Sequence, residues 1–410
     1  MIGRYRAHPD HGGTTLPRTF DPSVETQKLR DHLASHDKPI AFLLGAGTSA
    51  AVQATDGEAL IPAVAELTKR CEGAIRAIDT DTATAWERIN DSLEAGRRNI
   101  EEILSAVRRM ESAITGDDRL VGLSREQLQN AESVIQRTIA REVNPATERF
   151  PETLPHLAMG RWIRRIDRSC PVEIFTTNYD TLIERGLEQE WVPIFDGFIG
   201  ARQPFFSAAS LARESMAPGR RWTRLWKIHG SITWSIIDKD TSLQRIVRGS
   251  EQEGGELILP SLLKYDESRK QPYRAILDRL RSVLTEYEDA ILVTSGYSFG
   301  DDHINEVIFE ALDANPRLHV FALCHGDPAL DHVLHEVALR RSNILVLGKT
   351  KAIIGGHAGT WKLTDPDGPV VERMTGIFEP DAEGSVTGDL VLGDFNVLCV
   401  LLDAIAGGNG

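Results

Sequence analysis

Four short segments of this chain hold residue types that can do chemistry, and each lies at the end of a stretch that reads as extended. The first is Leu44-Gly45-Ala46-Gly47-Thr48-Ser49. Glycines at a strand end let the backbone turn tightly and approach a pyrophosphate, with amide N–H groups and the hydroxyls of Thr48 and Ser49 as donors. An ordinary strand–helix turn would also use this sequence. The second is Thr176-Thr177-Asn178-Tyr179-Asp180-Thr181-Leu182. Asn178 can orient a sugar hydroxyl or a water, or serve as a turn residue. Asp180 can cap the following helix or fix the Asn178 loop.

The third segment, Trp226-Lys227-Ile228-His229-Gly230-Ser231, sets a histidine beside a glycine at the end of an extended run. An imidazole titrating near neutral pH suits general base catalysis, although a histidine in such a place can be purely structural. The fourth runs from Thr294 through Gly296, Ser298, Asp301, Asp302 and His303 to Asn305. Gly296 and Ser298 can contact phosphate or ribose. Asp301, Asp302 and His303 include metal-ligand types, but their spacing matches no common metal signature, and no metal is expected.

The elements that must position these segments are short apolar strands alternating with amphipathic helices. Strands are expected at Pro39–Leu44, Val172–Thr177, Ala290–Ser295, Leu318–Cys324 and Asn343–Leu347, with extended stretches at Trp191–Ile199, Thr223–His229 and Ser231–Ile237. Helices are expected at Ser23–Ser35, Leu60–Ile78, Leu157–Ile166, Asp180–Glu188, Tyr273–Tyr287, Asn305–Ala314 and Ala329–Arg340. This alternation predicts an α/β fold with a mainly parallel, Rossmann-like sheet and helices on both faces, whose ligands bind outside the carboxyl ends of the strands.

From about Asp79 to Asn144 no strand-like run occurs, and Ile100, Ile103, Leu104 and Val107 recur at helical spacing. This reads as a helical insertion, at about 79–150, that packs over the core or forms an oligomer contact. Asp238–Glu256 reads as a surface loop or hairpin. After Gly348 short β-like pieces alternate with Gly, Asp and Pro turns, and an apolar helix closes the chain at Phe395–Ile405. The expected organisation is an N-terminal arm (1–36), a main domain (37–348) and a small C-terminal β-containing module (349–410).

Composition narrows the function classes. The chain has 410 residues and a formal charge of -14, which disfavours general affinity for nucleic-acid phosphates. Its longest apolar runs, Pro39–Leu44 and Val397–Leu402, fall far short of the roughly 20 residues of a membrane-spanning helix. The polar opening stretch lacks the apolar core of a secretory signal, so cytoplasmic residence is expected. The four cysteines (Cys71, Cys170, Cys324 and Cys399) are scattered and include no C-x-x-C pair, which suggests neither a disulfide framework nor a zinc knuckle.

Taken in order, G-A-G-x-S, T-x-N-x-D-x-L, H-G and G-x-S-F-x-D resemble the sirtuin family over roughly Pro39 to Leu347. The variants K-x-H-G-S and G-Y-S-F-x-D-x-H resemble its bacterial antiviral-defence branch more closely. That resemblance implies an NAD site, with Gly45, Ala46, Gly47, Thr48 and Ser49 on the phosphates and ribose, and Thr177 and Asp180 in the second loop. It makes Asn178 and His229 the catalytic pair, with His229 as base, and gives Gly296, Ser298 and Asp301 to the third NAD loop.

The implied reaction is hydrolysis of NAD to ADP-ribose and nicotinamide by a regulated defence effector. Such an effector would form a homo-oligomer and act with a HerA-type hexameric ATPase. A non-catalytic NAD or ADP-ribose sensor and an NAD-dependent protein deacylase are the alternatives. The deacylases' paired zinc cysteines are absent, Ala50-Ala51-Val52-Gln53-Ala54 replaces their G-I-P-D-F-R-like run, and Cys324-His325-Gly326 replaces an Asn-containing motif. Acyl-lysine recognition is therefore not implied. A dehydrogenase would also use Gly45-x-Gly47 with Ala50 in the third glycine position, and the Asn178 and His229 segments argue against it.

Overall fold

A computed structural model describes residues 18–94, 98–237, 245–249, 271–374 and 376–407. Most of the expected hairpin at Asp238–Glu256 and most of the N-terminal arm before Thr19 lie outside these residues. The remaining strand of that hairpin, Arg245–Arg248, pairs antiparallel with Trp234–Ile237.

The chain builds a ten-stranded sheet flanked by helices on both faces, so the expected α/β class is what is observed. Across the sheet the strands are Thr19–Phe20, His357–Trp361, Lys351–Ile354, Ile344–Leu347, His319–Leu323, Ile291–Ser295, Ile40–Leu44, Glu173–Thr176, Thr223–Lys227 and Ile194–Phe195. From Ile344–Leu347 to Ile194–Phe195 every neighbouring pair is parallel. The middle strands are buried on both faces, as their unbroken apolar runs require. Ile40, Phe42 and Leu44 pack under Leu29, Leu33, Trp162 and Phe395, while Ala41 and Leu43 face Ile276, Leu280 and Ile308.

Strand order explains where the site lies. From Ile40–Leu44 the chain steps outward to Glu173–Thr176 and Thr223–Lys227, then crosses back to Ile291–Ser295 on the other side of Ile40–Leu44. The direction of winding reverses between these two central strands, and such a reversal opens a crevice beyond the strands' carboxyl ends. All four chemistry-bearing segments leave the sheet at that edge.

Two boundaries differ from the sequence reading. Residues 349–407 do not stand apart. Lys351–Ile354 and His357–Trp361 extend the main sheet, and the helix Phe395–Ile405 buries Leu398 and Leu402 in the same core as Phe42 and Trp162. Antiparallel hairpin pairing lets turn-rich pieces continue a parallel sheet, and periodicity cannot show that. The helical unit also begins before Asp79. Helix Val64–Arg76 turns Leu67, Cys71 and Ile75, spaced four residues apart, into one core with Trp86, Ile103, Leu104, Leu128 and Ile135. Trp191–Ile199 is broken at Gly197 (φ +85°) into Ile194–Phe195 in the main sheet and Phe198–Ile199 in a small four-stranded sheet.

Candidate active site

Strand Ile40–Leu44 delivers the glycine loop, and strand Ile291–Ser295 delivers the loop facing it. The two touch at backbone level. A Cβ on Gly45 would sit 2.4 Å from the Gly296 carbonyl oxygen, and one on Gly296, whose φ is +62°, would sit 2.4 Å from the Thr48 nitrogen. Close approach of two loops thus explains these glycines. It also uses their amides: Gly45 N–H donates to Ser295, Gly47 N–H to Gly296 and Thr48 N–H to Gly45. These three amides are thus engaged within the two loops. Thr48 is fully buried, and its hydroxyl donates to the Gly45 carbonyl at 2.8 Å.

The Asn178 loop is locked onto the first loop. Asn178 Nδ2 donates to Gly45 O (3.1 Å), Thr48 Oγ1 (3.1 Å) and Ser49 Oγ (2.8 Å). Contact with a carbonyl, which can only accept, fixes which end of the amide is nitrogen. Asn178 Oδ1 is then left buried without a partner. An unpartnered buried acceptor is costly and calls for a donor from outside, such as a ribose hydroxyl or a water. Ser49 Oγ donates to Asp180 Oδ2 at 2.6 Å, and Asp180 Oδ1 accepts from Leu182 N–H at 3.0 Å. Asp180 therefore braces the Asn178 loop and ties it to the first N–H of the helix Leu182–Gln189, whose N-cap is Thr181. Lys227, buried at the end of its strand, donates to the Asp180 carbonyl and pairs with Glu184 at 3.0 Å.

His229 stands between two carboxylates. Its Nε2 is 3.0 Å from Asp301 Oδ2, and its Nδ1 is 3.5 Å from Glu101 Oε1. The second distance is within ion-pair range, yet Nδ1 has no hydrogen-bond partner. Burial works to strip the proton from the ring, but the bond to Asp301 and the charge of Glu101 outweigh it and raise the pKa to about 10. The two carboxylates therefore favour the protonated ring of His229. Both carboxyl groups are pulled below their ordinary range, because the His229 bond and charge exceed the effect of burial. Asp301 is anchored by its other oxygen, which accepts from His303 N–H (2.9 Å) and Ile304 N–H (3.0 Å) at the start of the helix Asp302–Ala314. Asp302 and His303 reach the same cavity from that helix.

Glu101 was not among the residues picked out from the sequence. It occupies the first turn of the insertion helix Ile100–Ala113, where Asn99 Oδ1 accepts from the N–H groups of Glu101 (3.0 Å) and Glu102 (3.1 Å). Tyr179 donates to Glu101 Oε1 at 3.2 Å, tying the insertion to the Asn178 loop. The one sequence signal was an Asn cap followed by two glutamates, which also describes any helix start.

These groups share one cavity of about 870 Å³ between the sheet edge and the insertion. Gly45, Ala46, Gly47, Ser49, Thr177, Asn178, Asp180, His229, Gly296, Ser298 and Asp301 all line it, and of the expected site residues only Thr48 lies behind the wall. Ile61, Val64, Leu67, Ile100 and Leu104 form an apolar side contributed by the helical unit. In the third loop Phe299 adopts φ +54°, and its carbonyl accepts from Asn305 Nδ2 at 2.7 Å. Among the described residues, no group of three or more His, Cys, Asp or Glu is arranged to hold a metal ion, and no helix is long and apolar enough to cross a membrane.

No curated protein matches this chain in sequence. Among solved structures it is similar to a Sir2 homologue crystallised with NAD, at 15% identity over 75% of this chain and 85% of that one, with a TM-score of 0.34. A second similar structure, described as the structural basis for the mechanism and regulation of Sir2 enzymes, aligns at 15% identity over 75% of this chain and 87% of its own, with a TM-score of 0.35. Residues 172–347 match the family model described as a SIR2-like domain, and this stretch carries Asn178, His229, Gly296 and Asp301.

Proposed function

We propose that this cavity binds NAD and that the chain hydrolyses it to ADP-ribose and nicotinamide. The observation that carries this reading is Asn178 Oδ1, a buried acceptor without a partner in a cavity that also holds His229 and the two glycine loops. A ribose hydroxyl or the attacking water supplies the donor it lacks. Ser49 and Asp180 hold Asn178 in place, while Ala46, Gly296 and Ser298 provide the diphosphate wall. Fixing the sugar in this way recovers part of the barrier through orientation. Supporting NAD as ligand is the match of residues 172–347 to the SIR2-like domain model.

The motif variants support a further reading of the chain as a regulated effector of antiviral defence, assembled as a homo-oligomer with a HerA-type hexameric ATPase as partner. The raised pKa of His229 between its two carboxylates favours one second reading, a non-catalytic NAD or ADP-ribose sensor. Incubating the full chain with NAD and separating the products decides between them. Equal amounts of nicotinamide and ADP-ribose support hydrolysis, and saturable NAD binding without either product supports the sensor.

A further inference from the structure

We infer that Glu101, supplied by the helical insertion, is a further catalytic residue whose carboxylate meets the positive charge that forms on the ribose. This inference rests on the hydrolysis reading above.

When the C1′–N bond breaks, its electron pair returns to the pyridinium nitrogen and nicotinamide leaves neutral. The positive charge then moves to the ribosyl C1′ and ring oxygen. A water oxygen bonds to C1′, and the proton it sheds is taken by a carboxylate and released to solvent. The reaction therefore needs an anion close to the sugar, presented before the charge develops.

Geometry selects Glu101 for this. Asp180 is committed to Ser49 and Leu182 N–H, and Asp301 to His229 and a helix start. Glu101 shares the cavity with both and is more open to it, with 43% of its side chain exposed against 22% for Asp301. Its Oε1 is held by Tyr179, the residue next to Asn178, so the carboxylate is fixed to the same loop that grips the sugar. His229 lies between Glu101 and Asp301, so even with its proton on, one imidazolium against two carboxylates leaves the three together net negative. Arg108 also lines the cavity, but its Nε is engaged by Glu132 at 2.6 Å. The insertion is thus part of the catalytic apparatus as well as a cover for the sheet edge.

The test compares two ligands on the full chain by calorimetry: ADP-ribose, and an ADP-ribose analogue whose ribose ring is a protonated pyrrolidine diol. The wild-type chain should favour the cationic ring by about tenfold or more, because transition-state mimics bind more tightly than ground-state ligands. Glu101→Gln should lose that preference while its ADP-ribose affinity stays within about threefold, and Glu101→Asp should keep part of it. With NAD, Glu101→Gln should lower kcat by about 10²-fold at nearly constant KM.

A Glu101→Gln chain that keeps the preference, or that releases nicotinamide at or above the parental rate, overturns the assignment. If the wild-type chain binds both ligands but releases no nicotinamide, hydrolysis fails as the function, and the ligand preference still judges Glu101. If it binds neither ligand, both readings fall.

Discussion

His229 Nε2 lies 3.0 Å from Asp301 Oδ2, and the other oxygen of that carboxylate caps the helix Asp302–Ala314. One side chain thus joins the imidazole to a rigid element. Asparagine is as good a helix cap as aspartate, so Asp301→Asn should preserve the fold while removing the charge. The His229 pKa should then fall from about 10 by at least about one unit. Proton NMR of the ring across pH reads this directly, and an unchanged titration would show that Asp301 does not hold the proton on His229.

The same pair sets the pH dependence of stability. The folded pKa of His229 is raised to about 10 from 6.5, so its contribution is complete below pH 6.5 and is lost as pH climbs towards 10. His156 and His32 behave in the opposite way. Burial lowers each to about 4, so their contributions are complete above pH 6.5 and are lost as pH falls through 4. Tm should therefore peak near about pH 6–7. Glu101→Gln should flatten the alkaline limb and, because the Glu101 carboxyl is itself held below its ordinary range, should also remove its share of the acid limb below about pH 4.5. An alkaline limb as steep as the parent's would mean that Glu101 does not act on His229.

Gly296 tests the contact between the two glycine loops. Its φ of +62° and the 2.4 Å approach of a Cβ to the Thr48 nitrogen leave no room for a side chain. Gly296→Ala should cost about 1–3 kcal/mol and weaken NAD binding by moving the first loop. Thermal unfolding with and without NAD measures both effects. A variant of parental stability and affinity would show that the loops do not depend on each other.

Much of this arrangement was legible in the sequence, for physical reasons. Runs such as Ile40–Leu44 and Ile291–Val293 are apolar because both faces are covered, and the strands that hold them are followed by Gly45 and Gly296 because the loops beyond them touch. Asn178, His229 and Gly296 could be chosen because each follows an extended segment. What stayed hidden depends on contacts between distant segments. Glu101 looks like any acidic residue in a first helical turn, and only the packing of the insertion turns it towards His229. The pairing of Asp301 with His229 spans 72 residues, and it reverses the protonation expected of an isolated histidine. The turn-rich pieces after Gly348 join the sheet through antiparallel pairing that leaves no periodic trace.

No metal takes part in this account. Chelation by excess EDTA should leave NAD turnover unchanged, and elemental analysis should find less than about 0.1 metal ion per chain. Turnover that disappears on chelation and returns with one added divalent ion would reopen Asp301, Asp302 and His303 as ligands.

The central claim is that Asn178 presents its free oxygen to the ribose of a bound NAD, and nicotinamide release by the parent and Asn178→Ala chains tests it most directly. The parent should release nicotinamide and ADP-ribose in equal amounts. Asn178→Ala should be folded, with an unfolding transition like the parent's, and should be slower by about 10²–10⁴-fold. A folded Asn178→Ala chain that releases nicotinamide at the parental rate, or a parent that binds NAD and releases none, would contradict it.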